Sequence, residues 1–291
     1  MAKKRVSRSR KRDLNEPDEF ISFWAKLFEF ISEYKLIFSS ALGVMVFIII
    51  IIVGMVYFIK KSEDKAFALL QQGIITYQTK LKTSTPEKAF LDVENDWQLI
   101  MDRYSERDGS KLASFIYANM CYTAKKYDKA IEDYNKVLAL NPGYMKAYYN
   151  RGNAYMKKKQ YKKAIDDYTS AIKVDPGYSR AYNNRGLCYQ RLGDKEKAFD
   201  DYSKAIEINP KYVLAYYNRG QIYLKKKKYR ETIADNTKTI ELDPKYVGAY
   251  NNRGLAYKNL KMYDKAIADF TKTIELNSRF KKAYNNRANT Y

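Results

Sequence analysis

A proline recurs every 34 residues through the second half of the chain, and each is followed two residues later by a tyrosine. The four prolines are Pro142, Pro176, Pro210 and Pro244. A period of this length is typical of a solenoid of paired antiparallel helices, in which each repeat buries its apolar face against its neighbours. Such arrays bind other proteins more often than they catalyse reactions. The spacing therefore constrains both the fold and the class of function.

Alignment on these prolines divides the sequence into units, and positions are numbered from the start of each unit. There are five full units and a fragment: 111–144, 145–178, 179–212, 213–246, 247–280 and 281–291. Tyrosine dominates positions 4 and 11, glycine position 8, alanine position 20 and an aromatic residue position 24. Positions 4, 8 and 11 share one helical face, which is predicted to be buried. Proline at position 32 cannot continue a helix and is predicted to end each hairpin.

This combination resembles the tetratricopeptide repeat (TPR) family over residues 111–291. The resemblance implies an all-α fold, a right-handed superhelix of helical hairpins whose first helices line a concave groove. Unit 213–246 departs from the pattern with Thr232, Asn236 and Thr239, so its hairpin is predicted to be the least tightly packed. In unit 247–280, Ser278 replaces the proline, which allows the second helix to run on into the final segment.

A second feature is the segment Leu36–Ile59, which contains 24 residues and no charge. As a helix it would be about 36 Å long, enough to cross a hydrocarbon core of about 30 Å. A buried core helix is the alternative, although an uninterrupted apolar run of this length is uncommon in soluble domains. The segment begins late and lacks a small-residue cleavage site, so it is predicted to be an uncleaved signal-anchor, a single transmembrane helix over residues 36–59.

Charges around this segment bear on its orientation. Residues 1–35 hold nine basic residues, seven of them within the first twelve, and they predict a cytoplasmic N-terminus with the repeats outside the cytoplasm. Most of these charges lie more than 20 residues from the predicted span, beyond the range where the rule works best. The opposite orientation, with the repeats facing the cytoplasm, therefore stays open.

Two further segments flank the predicted span. Residues 1–35 form a basic tip followed by an amphipathic juxtamembrane stretch with Phe20, Trp24, Leu27 and Ile31 at helical spacing. Residues 62–110 contain two amphipathic helical patterns without the repeat signature, and are predicted to be a degenerate hairpin that caps the TPR array. Polar residues dominate the connection between the two patterns.

The N-terminal layout also shows a family resemblance, carried by three short strings. They are Glu16-Pro17-Asp18-Glu19-Phe20, Lys65-Ala66-Phe67-Ala68-Leu69-Leu70 and Tyr127-Asp128-Lys129-Ala130. With the basic tip and the apolar segment, these strings resemble the bacterial YfgM-like family of ancillary SecYEG translocon subunits. The resemblance implies a cytoplasmic N-terminus in the bacterial inner membrane and a chaperone-like or scaffolding role in the periplasm.

Composition argues against an enzyme. The chain has no histidine, which removes the commonest general base and metal ligand, and no phosphate-binding glycine loop or dinucleotide motif. No catalytic residue, cofactor or metal is predicted. Cys121 and Cys188 lie two repeats apart and are predicted to be isolated buried residues. Paired carboxylates such as Asp166-Asp167 and Asp200-Asp201 are interpreted as a solvated helix surface.

A candidate peptide-binding groove follows from the helical geometry of the first helices. If positions 4, 8 and 11 are buried, then positions 2, 6, 9 and 13 point away from the partner helix. Position 6 is asparagine in five consecutive units: Asn150, Asn184, Asn218, Asn252 and Asn286. An amide can donate to a carbonyl and accept from an N–H, so such a ladder could hold an extended peptide by its backbone. An equally weighted alternative is that these amides only cap or solvate the helices.

Basic residues accompany the asparagines on this predicted face. They are Lys146 and Arg180, with Lys282, at position 2, and Lys157, Arg191 and Lys225 at position 13. These cations would favour acidic peptides or a C-terminal carboxylate. The predicted partner is therefore a protein or an extended peptide, and the cations favour an acidic one.

The formal net charge of +21 raises the question of nucleic acid. Many lysines cluster in the turns between paired helices: Lys125-Lys126, Lys157-Lys158-Lys159 and Lys225 through Lys228. This distribution predicts a basic rim on one edge of the solenoid rather than in its groove. A solvated rim is the default interpretation, followed by contact with anionic lipid or an acidic partner, with nucleic acid ranked last.

The sequence thus predicts a membrane-anchored TPR scaffold that captures peptide segments or partner proteins, with a periplasmic chaperone-like or complex-assembly role. The first alternative is a cytoplasm-facing import or assembly receptor. The second alternative is binding of nucleic acid or anionic lipid through the basic rim. A small-xxx-small pair, Ser39 and Gly43, is compatible with helix pairing and leaves a homo-oligomer open.

Overall fold

A computed structural model describes residues 19–35, 41–103 and 108–291. The described part of the chain is all-α: it contains fourteen helices and no strand. The chain divides into two compact units, Met1–Leu140 and Asn141–Tyr291, called unit 1 and unit 2 below. Each unit is described by itself.

Unit 1 contains five helices. They are α1 Glu19–Glu33, α2 Ala41–Leu81, α3 Pro86–Arg103, α4 Asp108–Thr123 and α5 Tyr127–Leu140. Helix α4 begins three residues before the first unit of the repeat alignment, and α5 begins at position 17 of that unit. The basic tip, which ends before residue 18, lies outside the described residues.

The predicted span and the first helix of the predicted cap form one helix. Helix α2 runs without a break through 41 residues, from Ala41 to Leu81. It is long and apolar enough to cross a membrane, and its most apolar window is not buried inside the protein. Residues 36–40, the first five of the predicted span, lie outside the described residues. The cap hairpin is therefore a direct continuation of the apolar segment.

The core of unit 1 is centred on α3. Trp97 and Phe90 are fully buried, and the Trp97 ring lies against Gly73 of α2, where an added Cβ would come within 3.1 Å of the indole. Glycine at this position therefore allows α2 and α3 to approach closely. On α1, the Phe23 ring lies 5.0 Å from the Phe58 ring of α2. Helix α1 thus folds back along the apolar segment.

Unit 2 consists of four helical hairpins and a final helix. The hairpins are α6 Met145–Lys157 with α7 Tyr161–Val174, α8 Ser179–Leu192 with α9 Lys195–Ile208, α10 Val213–Lys225 with α11 Tyr229–Leu242, and α12 Val247–Asn259 with α13 Tyr263–Leu276; α14 spans Lys281–Ala288. Every first helix begins at position 1 of its unit and every second helix begins at position 17. The helix starts in unit 2 therefore recur at the 34-residue interval of the prolines.

Each hairpin ends in a turn closed by a side chain at position 31. The Asp175 carboxylate accepts a hydrogen bond from the Gly177 N–H at 2.9 Å, and the side-chain Oδ1 of Asn277 accepts one from the Arg279 N–H at 3.0 Å. The predicted extension of the helix past Ser278 is wrong, because α13 ends at Leu276 like its counterparts. The Asx turn at position 31 stops the helix with or without the proline.

Within each hairpin, the turn between the two helices has a left-handed residue at position 15. Lys159, Lys227 and Lys261 have φ angles of 60°, 58° and 60°, and Gly193 has a φ of 90°. Lys125 adopts the same conformation in unit 1, with a φ of 59°. This is the usual way for a helix to end, but glycine is the residue that adopts it without steric strain.

The buried face of the first helices differs from the prediction by a small rotation. Alanine at position 3 is fully buried in every unit, and so are the residues at position 10, such as Cys188 and Ile222. Glycine at position 8 lies against the residue at position 24, which is aromatic in every hairpin of unit 2 except 213–246, and an added Cβ on Gly186 would meet the Tyr202 ring at 2.8 Å. Tyrosines at positions 4 and 11 are half-buried rather than buried. The stripe of close contact is therefore 3, 8 and 10.

Candidate functional site

In each of the four hairpins of unit 2, an arginine at position 7 of the first helix binds the aspartate at position 23. Arg185 donates through Nε and Nη2 to both Asp201 oxygens, at 2.9 and 2.7 Å. Arg219 holds Asp235 at 2.9 and 2.8 Å in the same two-pronged geometry. The equivalent pairs are Arg151–Asp167 and Arg253–Asp269. The hydrogen bonds that Arg219 donates to Asp235 raise the pKa of its guanidinium.

These pairs correct the interpretation of the carboxylates as a solvated surface. Asp167 and Asp201 are buried, and only their sequence neighbours Asp166 and Asp200 face solvent. Two parallel hydrogen bonds between charged groups are strong and fix the geometry of both partners. The pair therefore locks the two helices of each hairpin together.

The same arginines also bind the preceding repeat. The Nη1 group of Arg185 donates to the Thr169 hydroxyl at 3.0 Å, and that of Arg253 donates to the Thr237 hydroxyl at 3.1 Å. Each guanidinium also lies over the tyrosine at position 4, as Arg185 does over the Tyr182 ring at 5.5 Å. Sequence reasoning missed this constellation. The signal was available, because arginine at 7 and aspartate at 23 recur together in four consecutive units.

The predicted asparagine ladder exists in unit 2, but most of its amides bind the neighbouring first helix. Asn218 Nδ2 donates to Asn183 Oδ1 at 3.0 Å, and Asn286 Nδ2 donates to Asn251 Oδ1 at 3.0 Å. In each case, position 6 of one unit binds position 5 of the preceding unit. Asn218 is buried, which differs from the predicted freely projecting side chain. A helical wheel considers one helix at a time, so it does not show the hydrogen bonds between adjacent first helices.

Two other members of the ladder are Asn184, which donates two hydrogen bonds, and Asn150. Asn184 Nδ2 donates to the Tyr149 hydroxyl at 3.1 Å and to Asn153 Oδ1 at 2.9 Å. Asn150 is half-buried. Both belong to the surface formed by positions 2, 5, 6, 9 and 13 of the first helices, which is called the first-helix face below.

Asn252 is the exception in the ladder. Position 5 of the preceding unit is Tyr217, whose ring packs against Tyr246 with 4.7 Å between centroids. The Tyr217 hydroxyl lies so close to Gly248 that an added Cβ would meet it at 2.6 Å. Asn252 is only 8% exposed, and its Nδ2 is buried without a hydrogen-bond partner among the residues that the structure describes. A buried donor without an acceptor is energetically unfavourable unless a further group supplies one.

Exposed cations surround these amides on the first-helix face. Every predicted basic site residue of unit 2 is exposed: Lys146, Arg180, Lys282, Lys157, Arg191 and Lys225. The structure also places aromatic residues here that the sequence reasoning did not assign to the groove. The Tyr149 ring packs edge-on against the Tyr178 ring, with 5.0 Å between the centroids. Burial raises the pKa of Tyr149 and of Tyr212, and the positive charge of Arg180 partly offsets this effect. Burial raises the pKa of Tyr212 to about 12, so its hydroxyl stays protonated.

The thiols and the potential metal ligands add no reactive centre. Cys121 and Cys188 are buried and unpaired, as predicted, and burial raises the pKa of each thiol to about 12. Within the described ranges 19–35, 41–103 and 108–291, no group of three or more acidic or cysteine side chains is arranged to hold a metal ion.

The repeat geometry agrees with the comparison to known families. A tetratricopeptide repeat model matches residues 146–178, 179–212, 213–246 and 247–280, and a TPR repeat model matches residues 118–159. The chain belongs to the TPR family. Proteins of this family are typically scaffolds that bind proteins or peptides, and the all-α superhelix of this chain is the fold they share.

Solved structures support the same assignment. The crystal structure of MamA protein is 27% identical, with a TM-score of 0.53, over 59% of this chain and 94% of that chain. The structure of YrrB, described as a TPR protein with an unusual peptide-binding site, is 22% identical, with a TM-score of 0.54, over 65% of this chain and 96% of that chain. A tetratricopeptide repeat protein from Parabacteroides merdae is 16% identical, with a TM-score of 0.55, over 77% and 99%. No curated protein matches this chain.

Proposed function

We propose that the first-helix face of unit 2 binds an extended segment of a partner protein through its backbone. The observation that carries this proposal is the Asn252 amide, a buried donor without a partner on a face lined by exposed cations. A carbonyl oxygen from a bound peptide is the acceptor that such a donor lacks. Because this N–H has almost no exposed surface, the Asn252 side chain has to rotate towards the ligand, and binding would then replace an unfavourable buried N–H with a hydrogen bond.

The engaged amides of the ladder retain some capacity for a ligand. Each side-chain amide has two N–H donors, and the bond from Asn218 to Asn183 uses one of them. The same holds for Asn286 and Asn251. The ladder therefore serves two purposes in this proposal: it sets the spacing of adjacent first helices, and it presents polar groups at the repeat interval.

The surrounding charge favours an acidic partner segment. Arg180 is exposed, and its charge acts on the Tyr149 and Tyr212 hydroxyls, whose pKa values it lowers against the larger effect of burial. Arginine in such a setting binds carboxylates with defined geometry. Lys146 and Lys157 extend the positive charge to both ends of α6. A peptide with acidic side chains or a free C-terminus fits this face.

The first test compares two asparagines. A pull-down from membrane extract identifies the main partner, and its binding segment is then measured against the wild type, Asn252→Ala and Asn218→Ala. Asn252→Ala should weaken peptide binding by roughly 0.5–1.5 kcal/mol with no loss of stability, because it removes a donor that has no partner in the protein. Asn218→Ala is the matched control and should lower stability, since it removes the bond to Asn183. Unchanged affinity with Asn252→Ala would contradict the proposal.

The second test replaces the ladder and the charge. Changing Asn150, Asn184, Asn218 and Asn252 together to alanine should weaken binding further, and Arg180→Glu should add a loss that diminishes at high salt. Lys173→Glu is the control for charge reversal, because Lys173 is exposed on a second helix. Equal recovery of the partner by the quadruple variant and the wild type would exclude the first-helix face.

We further propose that α2 anchors the protein in a membrane, with the N-terminus in the cytoplasm and residues 62–291 outside it. The apolar segment Val44–Ile59 supports this, because most of its side chains are exposed in the protein and a bilayer would bury them. In a bacterial inner membrane, this orientation gives the TPR array a periplasmic chaperone-like or complex-assembly role. A C-terminal reporter that is active only in the cytoplasm should be inactive. Activity would instead support a cytoplasm-facing receptor.

A further inference from the structure

Charge is distributed unequally between the two edges of unit 2. One edge carries the turns within the hairpins, residues 156–163, 190–197, 224–231 and 258–265, and is called the basic edge. It holds 16 lysines and arginines and 4 acidic residues. The opposite edge carries the turns between hairpins, residues 173–178, 207–212, 241–246 and 275–280, with 4 basic and 5 acidic residues. The excess charge of unit 2 is therefore concentrated on one edge.

Most of this charge is not neutralised within the protein. Two ion pairs of the basic edge are Lys197–Asp194 and Lys226–Glu196. Lys159, Lys227 and Lys261 are exposed, and none of them has an ion pair or a hydrogen bond through its side chain among the residues that the structure describes. These three lysines are available to an external anion.

The backbone at the same three lysines is strained. Their φ angles of 58–60° place an L residue in the left-handed region, which glycine adopts more easily. Gly193 occupies the equivalent position in the second hairpin. Residues in such a conformation persist where the surrounding structure fixes their backbone, and an outlier of this kind motivates a hypothesis of function. Lysine at three glycine-like positions indicates that its charge is retained at the tips of the turns.

Exposed apolar side chains lie between the cations on this edge. Leu192 is 47% exposed and Tyr263 is 47% exposed, and Leu260 and Met262 also protrude. Leucine, methionine and tyrosine combined with lysine are typical of surfaces that enter the interface of a bilayer, where the apolar groups leave water and the cations meet headgroup phosphates. The backbone of a nucleic acid offers phosphates without this apolar layer.

We propose that the basic edge of unit 2 docks on an anionic phospholipid bilayer. The lysines at position 15 contact headgroup phosphates, and Leu192, Leu260, Met262 and Tyr263 enter the interface between them. This inference goes beyond peptide binding by the first-helix face. The two surfaces share the cations at position 13, but the lysines at position 15 and the four apolar residues belong to the basic edge alone. It depends on the proposed anchor only because α2 would hold unit 2 near a bilayer.

The experiment uses the full chain in lipid nanodiscs and reports the distance of the basic edge from the bilayer. A fluorophore is attached to an introduced Asn259→Cys, which is exposed on the basic edge, while Cys121 and Cys188 are fully buried and stay unlabelled. Nitroxide-headgroup lipid quenches the fluorophore on close approach. Quenching should be several-fold stronger in phosphatidylcholine discs containing phosphatidylglycerol than in discs of phosphatidylcholine alone, and high salt should reduce it.

Two matched variants test the residues. Lys159→Gly, Lys227→Gly and Lys261→Gly together should abolish most of the lipid-dependent quenching while thermal stability stays equal or rises, because glycine suits these φ angles. Lys173→Gln, Lys211→Gln and Lys245→Gln remove three cations from second helices and the opposite edge, and should leave quenching unchanged.

Three outcomes would overturn the proposal. The first is equal quenching in neutral and anionic discs, and the second is an equal loss of quenching in the two triple variants. The third is an oligonucleotide that shields the fluorophore although anionic lipid does not change the quenching. The last would identify nucleic acid as the partner of the basic edge. None of these outcomes bears on the peptide-binding test, because the first-helix face is unchanged in both triple variants.

Discussion

Two neighbouring repeats, 179–212 and 213–246, have the same helices and the same Arg–Asp pair but different hairpin cores. In the first, Tyr202 is fully buried against Gly186, and its hydroxyl donates to Gln190 at 2.8 Å. In the second, Asn236 occupies that position, and its Oδ1 is buried without a partner. Thr232 and Thr239 replace the alanines at positions 20 and 27.

The difference shows which interactions a repeat needs to keep its shape. Repeat 213–246 loses the aromatic ring and gains three buried polar side chains, yet its helices begin and end in register. What the two repeats share is the two-pronged Arg–Asp contact and the glycine at position 8. The ionic contact and the close helix approach therefore define the hairpin, and the apolar core adds stability on top of them.

The largest expected effect comes from removing the shared contact. Arg219→Ala leaves Asp235 buried without its partner and should destabilise the protein by about 3–5 kcal/mol. Arg185→Ala should have a smaller effect on its own hairpin, because Tyr202 still packs there. Urea unfolding and amide exchange in hairpins 179–212 and 213–246 measure the two changes. A larger effect at Arg185 than at Arg219 would contradict the comparison.

The glycine contact is expected to have the next largest effect. Gly186→Leu forces the Tyr202 ring to move and should destabilise by about 1–3 kcal/mol through overpacking. Gly220→Leu is the matched variant and should destabilise less: an added Cβ meets the Asn236 amide at the same 2.8 Å, but this short side chain can rotate away, whereas Gly186 faces the Tyr202 ring and the Ala198 carbonyl oxygen at 3.2 Å. Melting of both full-length variants in the same detergent tests this order, and equal shifts in melting temperature would refute it.

The irregular core can also be converted into the regular one. Thr232→Ala with Asn236→Tyr restores the residues of the other repeats and should stabilise the protein by about 0.5–2 kcal/mol. The gain comes from removing an unpaired buried oxygen and adding apolar contact with Gly220. Tyr202→Asn makes the reverse change and should destabilise. Slower amide exchange confined to 213–246 in the first variant is the expected signature.

The smallest expected effect lies in repeat 111–144, where Tyr117 replaces the arginine at position 7. Asp133 remains, with one oxygen bound by Lys136 and the other buried without a partner, and burial raises the pKa of its carboxyl. Because the folded pKa exceeds the unfolded one, ionisation of Asp133 lowers stability as pH rises through the folded pKa.

Asp133→Asn removes this penalty. At neutral pH, the variant should be more stable than the wild type by about 0.5–1 kcal/mol, and the difference should disappear as pH falls below the ordinary range of a carboxyl pKa. Asp166→Asn is the control, because Asp166 is exposed. Unfolding measured across pH gives both values. A stabilisation that is constant with pH would show that Asp133 ionisation is not the cause.

The repeat pattern was sufficient to predict the hairpins of unit 2, because one period specifies helix starts, turns and the Gly–aromatic contact together. It was insufficient wherever two helices act jointly. Asp167 was interpreted as solvated because its partner, Arg151, lies on the other helix of the hairpin. Asn218 was expected to project freely because the pattern of a single helix does not show its acceptor, Asn183, on the preceding first helix. The prediction that the helix runs on past Ser278 was wrong because the turn that ends this helix depends on the side chain of Asn277 and not on a proline.

Helix α2 joins a segment with exposed apolar side chains to a segment that is packed in a core, and it has no break between them. Ile52 in the first segment is exposed and Leu70 in the second is buried. These residues are separated by about five full turns, so they project at the same angle about the helix axis. The surroundings of Val44–Ile59 therefore fix the rotation of α2 about its own axis. A rotation of the apolar segment would turn Leu70 and its neighbours by the same angle.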